Sequence, residues 1–291
     1  MGGAPPTDSS GGQAASGAGV AAHYTVEGLH EQILAALAQS GRPLDALSVD
    51  DLAPVDAFHI RGRAATEELL AAAALTADQH VLDVGCGLGG TSRYLADRVG
   101  CRVTGVDLTA AYCAVAERLS ALVGQAGRTC FRNGSALELP FADASFDVVW
   151  TEHVQMNIAD KARFYGECAR VLKPGGQFVF HDIFAGSKQP LDYPVPWAAD
   201  ASISHLATVA ELEALLDALG LEREHWEDTT DAAVTFFETV VARVADDGWM
   251  PLGLQLLMGE TAQQKFDNML VNLARGRLRV VTAVLRKGDP R

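Results

Sequence analysis

The chain predicts an α/β fold built on a doubly wound, mostly parallel sheet of seven strands, with the last strand antiparallel. Three observations carry this expectation. Strand-length apolar runs alternate with helix-length segments from residue 80 to residue 183, VLDVGCGLGG at residues 81–90 passes from an apolar run into four glycines, and RLRVVTAVLRK returns as an apolar run near the carboxyl end. Strands separated by helices pair in parallel through right-handed crossovers, which places such a sheet between helical layers.

Residues 1–22, MGGAPPTDSSGGQAASGAGVAA, hold almost no bulky apolar side chain and are expected to form a flexible tail. A helical cap is expected over 23–77. Leu29, Ile33, Leu34 and Leu37 line one side of a first helix stopped near Gly41, and a second helix covers 63–75. The core, 78–291, then reads as strand 80–84, helix 89–99, strand 102–106, helix 110–123, strands 129–133 and 146–151, helix 159–172 and strand 177–183. Beyond it, 208–219 is helical, GLEREHWED is strand-like, and two helices over 231–247 and 255–274 form an insertion at about 229–275. The final strand is expected to pair antiparallel at the edge of the sheet, with the insertion as a lid over the ligand rim or as packing against the sheet.

Composition narrows the function. The 291 residues are 48% hydrophobic, enough for one large core with an insertion. A net charge of −14 with no clustered Lys and Arg argues against nucleic acid and against an anionic membrane surface. The five cysteines have neither disulfide nor metal spacing, and the eight histidines form no H-x-x-x-H pair, so no metal site is predicted. With no long apolar span and no signal segment, the cytoplasm is the expected compartment. Oligomeric state is not legible from the chain.

The glycine run carries the chemistry. Glycines let backbone press against a flat polar ligand while the helix amino-terminus presents unpaired N–H groups. Gly85, Gly87 and Gly90 also satisfy the G-x-G-x-x-G dinucleotide pattern, with Asp107 placed for a ribose, which keeps a nicotinamide-dependent oxidoreductase open. Asp83 separates the two readings. D-x-G-x-G, followed by CRVTGVDLT, RNGSALELPFADASFDVVWTEHV and VLKPGGQFVFHD in that order, resembles class I S-adenosylmethionine-dependent methyltransferases, whose sheet is Rossmann-like.

The resemblance implies S-adenosyl-L-methionine as cofactor. It implies Asp83, Gly85 and Gly87 around the methionine moiety and Asp107 on the ribose hydroxyls. Leu108, Ser135, Ala136 and Glu152 would complete the site, and Tyr24 would close over it. Ser135 stands where many relatives carry an acid toward the adenine, so that contact is expected to be weaker or made by backbone.

Methyl transfer proceeds by in-line attack on a carbon that the sulfonium already activates, so alignment outweighs acid–base chemistry and no nucleophilic triad is required. His153, after the fourth strand, and His181, at the end of the fifth, are the catalytic candidates. A strand alternates faces, so only one of His181 and Asp182 should face the rim. Asn157, Tyr193 and Trp197 are the substrate candidates, with Gln155 offering a further neutral hydrogen bond; Asn157 reads equally as a helix cap. Tyr193 and Trp197, in YPVPW, would enclose a methylated ammonium or anchor their loop. His59 and Arg61 are placed to reach the rim, and Arg275 and Arg277 to clamp an acceptor carboxylate or to sit at a helix end.

The carboxy-terminal helices resemble those of sarcosine and dimethylglycine N-methyltransferases, which implies transfer to the nitrogen of an amino acid-like amine. C- or O-methylation of a phenolic, quinone or terpenoid-like ring is the alternative, and a non-catalytic cofactor-binding module is a third reading.

Overall fold

Five strands, β1 (His80–Val84), β2 (Arg102–Asp107), β3 (Thr129–Asn133), β4 (Phe146–Glu152) and β5 (Leu172–Ala185), run parallel in the computed structural model, which describes residues 10–288. With β6 (Leu221–Asp228) and β7 (Leu278–Lys287) they form one sheet of order β3-β2-β1-β4-β5-β7-β6. β7 is antiparallel to both β5 and β6, the direction expected of the last strand. Its expected position at the edge is corrected. Val280, Val281, Ala283, Val284 and Leu285 are all buried, which suits an interior strand covered on both faces. LEREHWED is mostly charged, with Leu221 and Trp226 its only apolar residues, and takes the edge, where its acids and Arg223 meet water.

Side-chain alternation gives each face of the sheet its own core. Val81, Val103, Val148 and Val179 pack with Leu69, Leu95 and Tyr94 on one face, while their neighbours Leu82, Val149, Phe178 and Phe180 pack with Phe164, Tyr165, Leu212 and Leu216 on the other. The covering helices are α4 (Arg63–Ala73), α5 (Gly90–Val99), α6 (Ala110–Leu122), α7 (Lys161–Val171) and α8 (Val209–Ala218). α8 opens with a capping box in which the Thr208 N–H donates to Glu211 and the Glu211 N–H donates to the Thr208 hydroxyl. Among the described residues no helix is long and apolar enough to cross a membrane.

The remaining helices gather above the carboxyl ends of the strands. α9 (Thr230–Asp247), α10 (Gln255–Met258) and α11 (Ala262–Ala274) lie between β6 and β7 and pack with Ile183, Val280 and Trp197. α1 (Ser10–Tyr24), α2 (Leu29–Gln39) and α3 (Val49–Asp56) precede α4. The expected flexible tail is therefore corrected from Ser10 onward, and residues 1–9 lie outside the described residues. Alanine-rich sequence propagates a helix well, and Val20 and Tyr24 give this one apolar surface to dock, which the composition of the segment alone did not disclose. α3 was not expected either, since VDDLAPVD is short and carries Pro54. Its start is fixed by Asp51, whose carboxylate accepts both the N–H and the hydroxyl of Ser48 at 2.8 Å.

Arg93 ties this cap to the core. Fully buried on α5, it donates to Asp56 at 2.7 Å and to the Ala116 carbonyl at 3.2 Å. A Cβ on Gly90 would strike the Asp56 backbone, so the first residue of α5 must be bare for α3 to lie this close.

Candidate cofactor and acceptor chamber

The strand order reverses beside β1, so the crevice between the carboxyl ends of β1 and β4 is the switch point at which doubly wound sheets bind ligands. A chamber of about 540 Å³ opens there. Its lining includes all nine expected cofactor residues: Tyr24, Asp83, Gly85, Gly87, Asp107, Leu108, Ser135, Ala136 and Glu152.

The polar end is built from the turns after β1 and β2. Gly85 adopts φ +75°, a backbone state that a side chain would strain. The Gly87 N–H donates to Asp107 Oδ2 at 2.9 Å and the Thr109 N–H donates to Oδ1 at 2.8 Å, which fixes the Asp107 carboxylate at the rim. Burial raises the Asp107 pKa above the ordinary carboxylate value, and these two amides pull it back. Asp83 is deeper, accepting the Ser92 hydroxyl at 2.5 Å, and burial pushes its pKa up to about 7. Ser135 accepts the Leu137 N–H at 3.1 Å through Oγ, so its hydroxyl braces the turn after β3.

A sulfonium nucleoside that carries an amino acid fits this end. A buried carboxylate, Asp83, and a half-buried one, Asp107, sit at the ends of adjacent strands, the glycine turn leaves the backbone bare, and Tyr112 Oη on α6 is buried against the chamber with no hydrogen-bond partner among the described residues. Tyr24 covers the chamber from α1. Its hydroxyl donates to Asn157 Oδ1 at 3.0 Å, and Asn157 Nδ2 donates to the carbonyls of Trp197 and Ile203, both at 2.9 Å. Asn157 is thus a latch joining three segments. The N-cap of α7 is Asp160, which accepts the Arg163 N–H at 2.9 Å.

The other end is walled by Phe58, Ile60, Met156, Trp197, Phe237 and Phe266. Between the two ends lie histidines. His153 lines the chamber at φ +53°, an uncommon state for a residue with a side chain and one held where the surroundings dictate it. Its ring stacks on His181 with centroids 5.0 Å apart, and His59 meets both rings edge-on. Burial, with two imidazoles alongside, holds the His153 pKa well below the usual value.

His181 does not reach the chamber. It is fully buried behind His153, with Nε2 donating to the Ile60 carbonyl and Nδ1 accepting from Thr282, both at 3.1 Å. Burial pushes its pKa down to about 4. Asp182 does not face the chamber either. It accepts the N–H groups of Val154, Gln155 and Ile183 and so holds the segment that carries His153.

Two further expectations are corrected. Tyr193 packs against the apolar cluster behind the chamber, so it forms no cage with Trp197; its loop is stitched to α11 by Asn268 and Asn272 instead. Trp197 does line the chamber, with Nε1 donating to Ser204 at 3.0 Å. Arg275 and Arg277 both face Asp192, at 3.7 Å and 2.7 Å, and neither lines the chamber. Arg61 likewise turns away to Glu68. The aromatic residues of α9 and α11 escaped the sequence reading because helical packing residues carry no spacing that marks a ligand wall.

Comparison with known proteins agrees with this geometry. A family profile described as a methyltransferase domain matches residues 82–180. The probable tocopherol O-methyltransferase of Oryza sativa subsp. japonica is 40% identical over 39% of this chain and 33% of its own length. Dimethylglycine N-methyltransferase of Parasynechococcus marenigrum is 31% identical over 55% of this chain and 57% of its own, so the chain spans between about a third and just over half of these two relatives. Methyltransferase GfsG of Streptomyces halstedii is 30% identical over 70% of this chain and 75% of its own. Geranyl diphosphate C-methyltransferase from Streptomyces coelicolor A3(2) shares the fold, with a TM-score of 0.69 at 18% identity covering 98% of this chain and 100% of that one. The order of the motifs, the crevice they build and the reach of the GfsG match give one assignment: the chain belongs to the S-adenosylmethionine-dependent methyltransferases.

Proposed function

We propose that this chain transfers the methyl group of S-adenosylmethionine to an oxygen or carbon of a neutral, largely apolar small molecule. One observation carries the reading: no Lys or Arg stands among the described residues that line the chamber. An acceptor with a carboxylate or phosphate would bury that charge unpaired, which is strongly unfavourable, whereas a ring or prenyl-like body would fill the apolar end at a gain of roughly 25 cal/mol per Å² of apolar surface removed from water.

The cofactor supplies the activated methyl. Asp107 and Asp83, with the backbone of Gly85 and Gly87, hold it, and Tyr24 and Asn157 close the chamber over it. The apolar walls orient the acceptor and exclude water, and His153 faces its reacting group.

Transfer to an amino acid-like amine is the second reading. The match to dimethylglycine N-methyltransferase favours it, and the absence of a cation for the acceptor carboxylate weighs against it. Purified protein given labelled cofactor is offered glycine, sarcosine and dimethylglycine in one panel, and alkylphenols and alkylhydroquinones in another. Methylated product in the second panel alone supports the proposal; product in the first alone replaces it with the amine reading. The expected cytoplasmic setting stays part of this proposal.

A further inference from the structure

The two histidines that line the chamber are held in opposite tautomers. His59 Nε2 lies 2.9 Å from the Gly62 carbonyl oxygen, which only accepts, so Nε2 carries the hydrogen and Nδ1 keeps its lone pair. The same Nε2 lies 2.9 Å from Thr66 Oγ1, whose own hydrogen goes to Glu152 Oε1 at 3.0 Å, and 3.7 Å from Glu152 itself. His153 is the reverse. The Ile60 N–H donates to its Nε2 at 3.4 Å, so the hydrogen of the neutral ring is on Nδ1. Neither Nδ1 has a hydrogen-bond partner among the described residues, and neither is a fully buried orphan. Both rings line the chamber, His59 with a free lone pair and His153 with a free N–H, and their centroids are 6.2 Å apart.

Resting on the proposed neutral acceptor, we infer that His59 is the catalytic base and that the acceptor carries a hydroxyl beside a second oxygen, as in a vicinal diphenol or an enolised dicarbonyl. The hydroxyl gives its proton to His59 Nδ1, and the neighbouring oxygen accepts from His153 Nδ1–H. His59 takes that proton as the acceptor oxygen forms its bond to the methyl carbon, and the electron pair of the breaking carbon–sulfur bond goes to sulfur. The positive charge leaves the sulfonium and appears on His59, where Glu152 faces it across Thr66. His59 returns its proton to water when product leaves. This is the arrangement in which a carboxylate orients an imidazole and stabilises its charged form. His153 lacks such a carboxylate, and its lowered pKa keeps it neutral as a donor.

The test uses 4-tert-butylcatechol and 4-tert-butylphenol, two apolar probes that differ in the second oxygen. Calorimetry on protein saturated with S-adenosylhomocysteine should give at least tenfold tighter binding of the catechol. His153→Gln should remove that preference while leaving cofactor affinity intact. His59→Gln should retain affinity for both S-adenosylhomocysteine and the catechol and lower methyl transfer by about a hundredfold or more. Equal binding of the two probes by the unaltered protein overturns the paired-oxygen inference, and undiminished transfer by His59→Gln overturns the role of His59. Failure of both probes to bind at all sinks the neutral-acceptor reading beneath it.

Discussion

The two ends of the chamber are built on different plans. The cofactor end comes from one turn and the strand beside it: Asp83, Gly85, Gly87 and Asp107 lie within 25 residues of chain and are locked by hydrogen bonds to backbone N–H groups and to the Ser92 hydroxyl. The acceptor end draws Phe58, Met156, Trp197, Phe237 and Phe266 from segments spread over more than 200 residues, whose side chains meet mainly by apolar contact. The first plan demands fixed spacing, because a carboxylate and an amide must meet one ligand at hydrogen-bond distance. The second tolerates any apolar side chain that fills the volume, so relatives can keep their cofactor end and exchange their acceptors.

Asp107→Ala tests the first plan hardest. If the carboxylate holds two ribose hydroxyls at about 1.5–3 kcal/mol each, calorimetry should show affinity for S-adenosylhomocysteine falling on the order of a hundredfold or more. Unchanged affinity would break the assignment of the polar end to the cofactor.

Next in size is a pH effect at Asp83. Its pKa of about 7 lies above the ordinary carboxylate value because burial favours the neutral form. An ammonium on the ligand attracts only the ionised form, so affinity should rise by about tenfold per pH unit up to about pH 7 and level off above it. In the ligand-free protein the sign is opposite. A raised carboxylate pKa contributes stability that is full below the unfolded value and lost as pH rises through about 7. Asp83→Asn should therefore flatten both profiles, read by calorimetry and by thermal melts.

The acceptor end should respond separately. Phe266→Leu is expected to weaken a bound alkylphenol about tenfold while the S-adenosylhomocysteine affinity stays within error; a matching loss at both ends would show that the two are not independent. The smallest effect sits at their seam. Tyr24→Phe removes one hydrogen bond to Asn157, about 1 kcal/mol, and should speed cofactor release about fivefold in stopped-flow fluorescence.

The same contrast explains what could be read from the chain. Every strand of the sheet was legible, because apolar runs separated by helix-length segments admit few arrangements, and the cofactor residues were legible because their spacing is contiguous. β7 was misplaced by one position in the strand order. Its register partners lie about a hundred residues before it in β5 and about sixty before it in β6, and only burial on both faces, legible in RVVTAVL, marks it as interior. α1 was read as tail because composition measures what a segment can bury within itself, whereas this helix gains its contacts from the chamber it covers. His181 was misjudged for a related reason: alternation along a strand says which face a residue takes, yet His153 at φ +53° turns across the strand end and occupies the place in front of it.

The interior position of β7 also bears on how the protein is made. Among the described residues β6 pairs with no strand other than β7, so until residue 287 has been synthesised β6 has no partner and β5 presents a bare hydrophobic flank. A chain lacking residues 278–287 would leave the edges of β5 and β6 open to recruit other chains. Completion of this sheet thus waits on β7, the last of its seven strands to leave the ribosome.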